Sequence, residues 1–227
     1  MAAADAAAFV NELRTAAFAD LDIAGHTVDT QGWMDDHFKG TFAAFLAARD
    51  RAQPLTIVEV GTWKGRSAAT MAETAKALGF TRVTIICVDT WLGAPEFWTW
   101  GLNDPTRGAS FRRKDGYPTV FYTFTRNVKA LGHADVIAPL PLSSAQAADV
   151  LSYYKIAADV IYVDAAHEYE SVLADLHSYW KLLAPGGVLF GDDYACWHGV
   201  TRAVDEFAAG KGLRPAIAGV VWTLTGK

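Results

Sequence analysis

Cysteine is scarce in this 227-residue chain, which has only Cys87 and Cys196. One lies in an apolar β-like run and the other in a loop. They make no disulfide framework, so with no export signal the expected compartment is the reducing cytoplasm. Basic residues are not in surplus either: Lys plus Arg is 20, Asp plus Glu is 25, and the net charge is −5. That argues against a nucleic-acid backbone as the main partner, because phosphate binding needs an excess of Lys and Arg. No apolar run approaches the ~20 residues that cross a bilayer, so no membrane partner is expected. The opening MAAADAAAFV is Ala-rich but has no basic flank and carries Asp5, and reads as a helix start rather than a signal peptide. There is no internal repeat, and no Gly-x-Gly-x-x-Gly dinucleotide fingerprint. What is present is apolar: 52% hydrophobic against 20% charged residues. A packed core follows and wholesale disorder is excluded. The length suits one large domain or two small ones.

Two helical patterns come first, about Ala4–Leu21 and Gly32–Arg49, with Phe9, Leu13 and Phe18, then Phe38, Phe42, Phe45 and Leu46, at helical spacing. After Pro54 the pattern changes. Short, nearly continuous apolar runs, Thr56–Val60, Arg82–Val88, Ala134–Ala138, Asp159–Val163 and Gly187–Phe190, read as strands buried on both faces of a parallel sheet. Helical patterns over Ser67–Leu78, Thr119–Leu131, Tyr169–Leu183 and Val200–Ala209 alternate with them. Ala216–Ala218 and Val220–Leu224 suggest a closing strand pair. The alternation specifies an open, doubly wound α/β sheet, mostly parallel, with helices on both faces. In such sheets ligands bind outside the carboxyl ends of the strands, so the residues that follow each strand are the candidates for chemistry.

The first strand runs into Glu59-Val60-Gly61-Thr62-Trp63-Lys64-Gly65-Arg66-Ser67. A glycine-bearing loop between strand and helix lets a ligand approach backbone at a helix N-terminus. Glu59 would repel a pyrophosphate and suits a cationic ligand. The bland alternative is a tight turn with a solvated Glu. The second strand ends at Asp89-Thr90. An Asp there can accept hydrogen bonds from both hydroxyls of a ribose, or simply cap a turn. Together Glu59, Gly61, Gly65 and Asp89 favour a nucleoside with a positive, phosphate-free tail, a description that S-adenosylmethionine fits. The fourth strand ends in Asp164-Ala165-Ala166-His167 and the fifth in Gly191-Asp192-Asp193. Three carboxylates at adjacent strand ends repel one another unless a positive ion sits among them, and a hard divalent cation with oxygen ligands is the simple answer. His167 would project beside that ion, where a neutral imidazole can take a proton from a polarised hydroxyl. Of the other histidines, only His198 lies near a candidate site.

The segment Val58–Gly65 resembles the first motif of class I S-adenosylmethionine-dependent methyltransferases, and Asp89 matches that family's acidic ribose ligand. The Asp164…Asp192-Asp193 spacing resembles the metal site of cation-dependent O-methyltransferases, including the catechol and caffeoyl-CoA enzymes. The Asp-x-x-His at Asp164 and His167 is similar to the macrocin and mycinamicin type of sugar O-methyltransferase. The catechol enzymes carry a lysine where His167 stands and usually Asp-Asn where Asp192-Asp193 stands. The resemblance covers about Leu55 to Trp222. It implies a single methyltransferase domain over 1–227, with a helical cap at 1–53. It implies S-adenosylmethionine held by Glu59, Gly61, Thr62, Gly65, Ser67, Asp89, Thr90, Ser143 and Asp164. It implies Mg2+, or Mn2+, held by Asp164, Asp192 and Asp193, with His167 as the base. Ser143, after the third strand, would contact adenine, although Ser-Ser is also an ordinary helix cap.

The acceptor is then a small-molecule hydroxyl: a sugar, a glycoside or a phenol. Residues 91–126 hold Trp91, Phe97, Trp98, Trp100, Phe111, Tyr117, Phe121, Tyr122 and Phe124. A connection this long reads as a lid, and aromatic faces stack on sugars and planar rings. Phe121 and Phe124 are expected to belong to the core. Arg112-Arg113-Lys114 would hold an acidic acceptor or be a solvated loop. Assembly into a homo-oligomer is compatible with the sequence and not specified by it. Three rival readings stay open. One is a methyltransferase without a metal. Another is an iron-dependent hydroxylase of the cephalosporin-hydroxylase-like type, using His167, Asp193 and His198. The third is a non-catalytic glycan-binding module.

Overall fold

The structure is a computed structural model that describes residues 5–99 and 105–226. It begins with helix α1 (Ala6–Phe18), whose first N–H groups are capped by the Asp5 carboxylate, and α2 (His37–Ala47). The start of the first expected helix, Ala4, lies outside the described residues. The second starts later than its apolar pattern suggests. Asp35 accepts the His37 N–H at 2.8 Å, and residues 19–36 form no helix.

The alternating part follows in order: β1 (Leu55–Val60), α3 (Arg66–Ala77) and β2 (Val83–Val88). The segment after β2 then holds two short helices, α4 (Pro95–Thr99) and α5 (Pro105–Ser110), and a small hairpin of β3 (Arg113–Lys114) and β4 (Tyr117–Pro118). Next come α6 (Val120–Ala130), β5 (Ile137–Leu140) and α7 (Ser144–Tyr153), then β6 (Ala158–Val163) and α8 (Tyr169–Leu182). The chain closes with β7 (Leu183–Gly191), α9 (His198–Gly210), β8 (Ala216–Ala218) and β9 (Val221–Thr225).

Seven strands form one sheet in the order β5-β2-β1-β6-β7-β9-β8. The first five in that order are mutually parallel, while β9 runs antiparallel to both β7 and β8. This is the expected open, mostly parallel sheet with helices on both faces and an antiparallel strand pair at one end. Successive side chains of a strand point to opposite faces, so each buried strand feeds two cores. Val58, Val60, Ile86, Val88, Ile161, Val163 and Leu189 pack on the side of α7, α8 and α9. Ile57, Ile85, Cys87, Val160, Tyr162, Val188 and Phe190 pack on the side of α2, α3 and α6. The N-terminal helices add Val10 to the first layer and Phe18, Phe38, Phe42 and Leu46 to the second.

Two strand boundaries differ from expectation. The third parallel strand is Ile137–Leu140 and not Ala134–Ala138. It includes Pro139 because β5 is an edge strand, where a missing N–H leaves no ladder bond unmade. Likewise β7 begins at Leu183, ahead of the Pro185-Gly186-Gly187 run, which fits a register shift between Ala158 and Val160 on its partner. The helix Ser144–Tyr153 buries only Ala147, Ala148 and Leu151, an apolar stripe too slight to announce itself. Among the described residues no helix is long and apolar enough to cross a membrane.

The register fixes the site. Val60 pairs with Val88 on one side and Val163 on the other, and Val163 pairs with Gly191. The next residues, Gly61, Asp89, Asp164 and Asp192, therefore leave the sheet at one level along its carboxyl edge.

Candidate active site

The β1–α3 loop is built on two acids. Glu59 is fully buried and accepts the hydroxyls of Thr62 (2.7 Å) and Ser67, with Cys87 Sγ at 3.4 Å. Burial pushes its carboxyl up to about 7, against the downward pull of the Ser67 and Thr62 hydroxyls. The folded chain therefore keeps this proton at pH values where the unfolded chain, titrating near 4.5, has released it. Stability contributed by Glu59 is whole below about 4.5 and is lost as pH rises to about 7. Glu59→Gln, which keeps the neutral form, is expected to remove that component from a plot of melting temperature against pH. A folded Gln variant with an unaltered profile would refute the assignment.

Asp89 holds the loop from the other side. Its Oδ2 accepts the N–H groups of Thr62 (3.1 Å) and Trp63 (2.8 Å), and its Oδ1 accepts that of Trp91 (2.7 Å). Burial raises its carboxyl, opposed by these N–H bonds. A carboxylate has about four acceptor positions. Three are taken by backbone, so Asp89 shapes the loop and keeps little acceptor capacity beyond that. Asp89→Ala is expected to weaken S-adenosylmethionine binding by about 2–3 kcal/mol. Titration calorimetry reads this, with a fall in melting temperature alongside, and unchanged affinity in folded protein would remove Asp89 from the site.

Gly61 has φ 90°, and a Cβ there would run into the backbone of Asp164. Only glycine lets β1 and β6 end this close together. Gly65, at φ 86°, opens α3 and gives that helix no side-chain cap. The Thr62 and Ser67 hydroxyls turn inward to Glu59. Thr90 is exposed beside Asp89, its Oγ1 accepting the Leu92 N–H at 3.2 Å. Ser143 caps α7 through the Gln146 N–H at 3.4 Å, just beyond β5.

At the ends of β6 and β7 the acids converge. One donor atom each from Asp164, His167 and Asp193 lie within 4.8 Å of one another, a set that could hold a metal ion. Burial first, then the charges of Asp193 and Asp192, hold the Asp164 carboxyl well above the usual carboxylate range. A cation would relieve that cost. Two carboxylates and one imidazole suit Mn2+ or Fe2+, and the carboxylates alone suit Mg2+. Asp192 stands apart from this set. Its Oδ2 accepts the Asp35 N–H at 3.3 Å and its Oδ1 the Asp193 N–H at 2.9 Å. The left-handed backbone of Asp193, φ 68°, lets consecutive acids serve different neighbours. His198 also lies outside the set, exposed at the first residue of α9.

His167 is fixed by two contacts. Nε2 lies 3.0 Å from Asp193 Oδ2, and the ring stacks on Trp197 with centroids 4.4 Å apart and planes 5° from parallel. Burial pulls the imidazole down, but Asp193, then Asp164 and Glu96, more than offset it, so its pKa is raised. Gly199 makes room for this loop, since a Cβ there would strike the His167 carbonyl. Neither Trp197 nor Asp35 is visible as a site residue in the sequence. Each meets the site only through the fold.

The segment after β2 reaches the loop through aromatic rings. Phe97 stacks on Trp63 at 4.5 Å and touches Phe111 at 5.4 Å, and Trp98 meets Phe111 at 5.2 Å. Trp91, Phe111 and Phe124 are buried, Phe121 is partly so, and Tyr117 and Tyr122 are exposed. Trp33 (53%) and Trp98 (43%) are partly exposed to solvent, Trp33 beside Phe97 at 6.0 Å and Trp98 with the Arg113 guanidinium 5.1 Å over its ring. Trp100 lies outside the described residues. Arg112, Arg113 and Lys114 are exposed, and Arg112 borders a cavity of about 320 Å³ beside the loop. Lys64 lines the same cavity, paired with Asp29 at 2.7 Å. Buried Asn127 clasps both by donating to the carbonyls of Asp29 (2.6 Å) and Lys64 (3.0 Å).

Comparison with known proteins gives the family and the fold. A family model described as a methyltransferase domain matches residues 58–194. An uncharacterized protein of Acanthamoeba polyphaga mimivirus is 21% identical over 173 residues, which are 73% of this chain and 66% of that protein. The chain thus spans just under two thirds of that relative's length. Among solved structures, the O-methyltransferase NovP superposes with a TM-score of 0.62 at 20% identity, over 84% of this chain and 78% of its own. The calicheamicin methyltransferase CalS11 gives 0.55 at 16% identity, over 95% and 91%, and is also described as a TDP-rhamnose 3'-O-methyltransferase.

Proposed function

The chain belongs to the methyltransferase-domain family, and from that premise we propose that it methylates a hydroxyl oxygen of a small molecule, a sugar or glycosylated natural product, using S-adenosylmethionine and Mg2+ or Mn2+. The observation that carries this is the meeting of Asp164, His167 and Asp193 at the carboxyl edge, one strand away from the glycine loop of β1. The aromatic residues of the segment after β2, Trp98 among them and partly exposed, support a sugar acceptor, since apolar sugar faces stack on such rings. The sugar substrate in the description of CalS11 points the same way. Two free cysteines, Cys87 buried and Cys196 exposed, support a cytoplasmic setting.

S-adenosylmethionine supplies the electrophilic methyl group, and the divalent cation supplies charge that favours ionisation of the acceptor hydroxyl. Asp164 and Asp193 hold the cation. Gly61, Gly65 and Asp89 shape the cofactor loop, with Glu59, Thr62 and Ser67 beneath it and Thr90 and Ser143 at its flank. His167 takes the hydroxyl proton on its imidazole, held in orientation by the Trp197 stack and the Asp193 carboxylate. The lid rings keep water from the cofactor loop. Titration calorimetry with S-adenosylmethionine, with and without Mg2+, tests the reading. Cofactor binding with a separate cation event is expected. No cofactor binding would reject it.

A further inference from the structure

Tyr162 sits two residues before Asp164 on β6, so both side chains leave the same face of the strand. Its ring is wholly buried, edge-on to Phe38 at 4.8 Å and tilted against Phe190 at 4.8 Å. Only the hydroxyl emerges from this apolar layer, and it emerges among acids: 3.0 Å from Asp164 Oδ2 and 3.4 Å from Asp192 Oδ2. Among the described residues it is the one hydrogen-bond donor to the Asp164 side chain. Asp192 is held from the far side by the Asp35 N–H.

We propose that Tyr162 is a positioning residue that aims Asp164 at the cation, with Asp192 completing the layer beneath. The proposal rests on the cation-centre reading given above. A phenol has one proton to give, and the shorter contact is to Asp164. That bond holds back Oδ2 and leaves Oδ1 for the ion. It also gives the half-buried Asp164 carboxylate a donor. Carboxylates that hold metals are commonly fixed by such a bond, and its loss typically costs about 10–100-fold in metal affinity.

The test titrates Mn2+ into the full chain and follows free ion by electron paramagnetic resonance. Tyr162→Phe keeps the ring and its packing and removes only the donor. Mn2+ affinity is expected to fall about tenfold or more. S-adenosylmethionine affinity measured without metal should stay within about twofold, because the phenol bonds no part of the β1–α3 loop. In turnover, the Mn2+ concentration for half-maximal rate should rise, with excess Mn2+ restoring kcat. A merely structural role would instead lower both affinities together, and that result overturns the proposal. Equal Mn2+ affinity in parent and variant also overturns it while leaving the cation centre standing. No Mn2+ binding by the parent removes the centre, and the role of Tyr162 with it.

Discussion

Turnover by His167→Ala is expected to fall about 10²–10⁴-fold, the usual loss when a general base is removed. S-adenosylmethionine affinity should be unchanged and Mn2+ affinity changed only a few-fold. The reasoning is geometric. His167 follows Asp164 by three residues, so it stands over the same strand end, and its Nε2 lies 3.0 Å from Asp193 Oδ2. The stack on Trp197 fixes the ring plane, so the imidazole keeps its direction whether or not it carries the proton. Without a cation, Asp193, Asp164 and Glu96 hold that proton on the ring. Positive charge at the centre opposes them and frees the ring to accept a proton from the acceptor. The loss in the Ala variant should shrink at high pH, where the hydroxyl ionises with less help. A variant that stays folded, binds both ligands and turns over at the parent rate shows that His167 is not the base. A large loss of Mn2+ affinity would make it a ligand instead.

Removal of divalent metal is expected to lower turnover about 10³-fold, since charge stabilisation of a developing oxyanion is worth several kcal/mol. Adding Mg2+ or Mn2+ back should restore it. The structure gives the reason. Asp164 and Asp193 converge with Asp192 close by at the ends of neighbouring strands, and burial first, then the charges of Asp193 and Asp192, hold the Asp164 carboxyl well above its ordinary range. The same ion should raise the melting temperature of the protein, because it binds the folded arrangement and not the unfolded chain. Full activity in excess chelator would contradict the metal assignment. Stimulation by Fe2+ with consumption of oxygen would favour the hydroxylase reading. The exposed position of His198, outside the Asp164–His167–Asp193 set, leaves that reading without its second histidine.

The sequence made the strands and their carboxyl ends legible because a parallel sheet buried on both faces requires continuous apolar runs, and β1, β2 and β6 have them. Glu59, Asp89, Asp164 and the Asp192-Asp193 pair stand out for the same reason: an acid that ends such a run interrupts it visibly. The division of labour between them was not legible. Asp192 and Asp193 are adjacent, and only the left-handed turn at Asp193 separates their tasks. Asp89 reads as a ribose ligand, yet three backbone N–H groups of its own and the neighbouring loop reach it first. Trp197 is thirty residues from His167 in sequence and meets it only when β7 and α9 are in place. Tyr162 had a signal, the two-residue period that puts it on the face of Asp164, but an apolar strand is an ordinary place for a tyrosine.

The central claim is methyl transfer to oxygen at the Asp164–His167–Asp193 centre. The most direct measurement incubates the purified chain with methyl-deuterated S-adenosylmethionine, Mg2+ and a panel of glycosides and catechols, and identifies products by mass spectrometry. A labelled methyl group on a hydroxyl oxygen of a glycoside, absent with Asp164→Ala and absent in chelator, is the predicted result. S-adenosylmethionine that binds and yet labels no hydroxyl in the panel, or labelling that persists undiminished in the Asp164→Ala protein, would contradict the account.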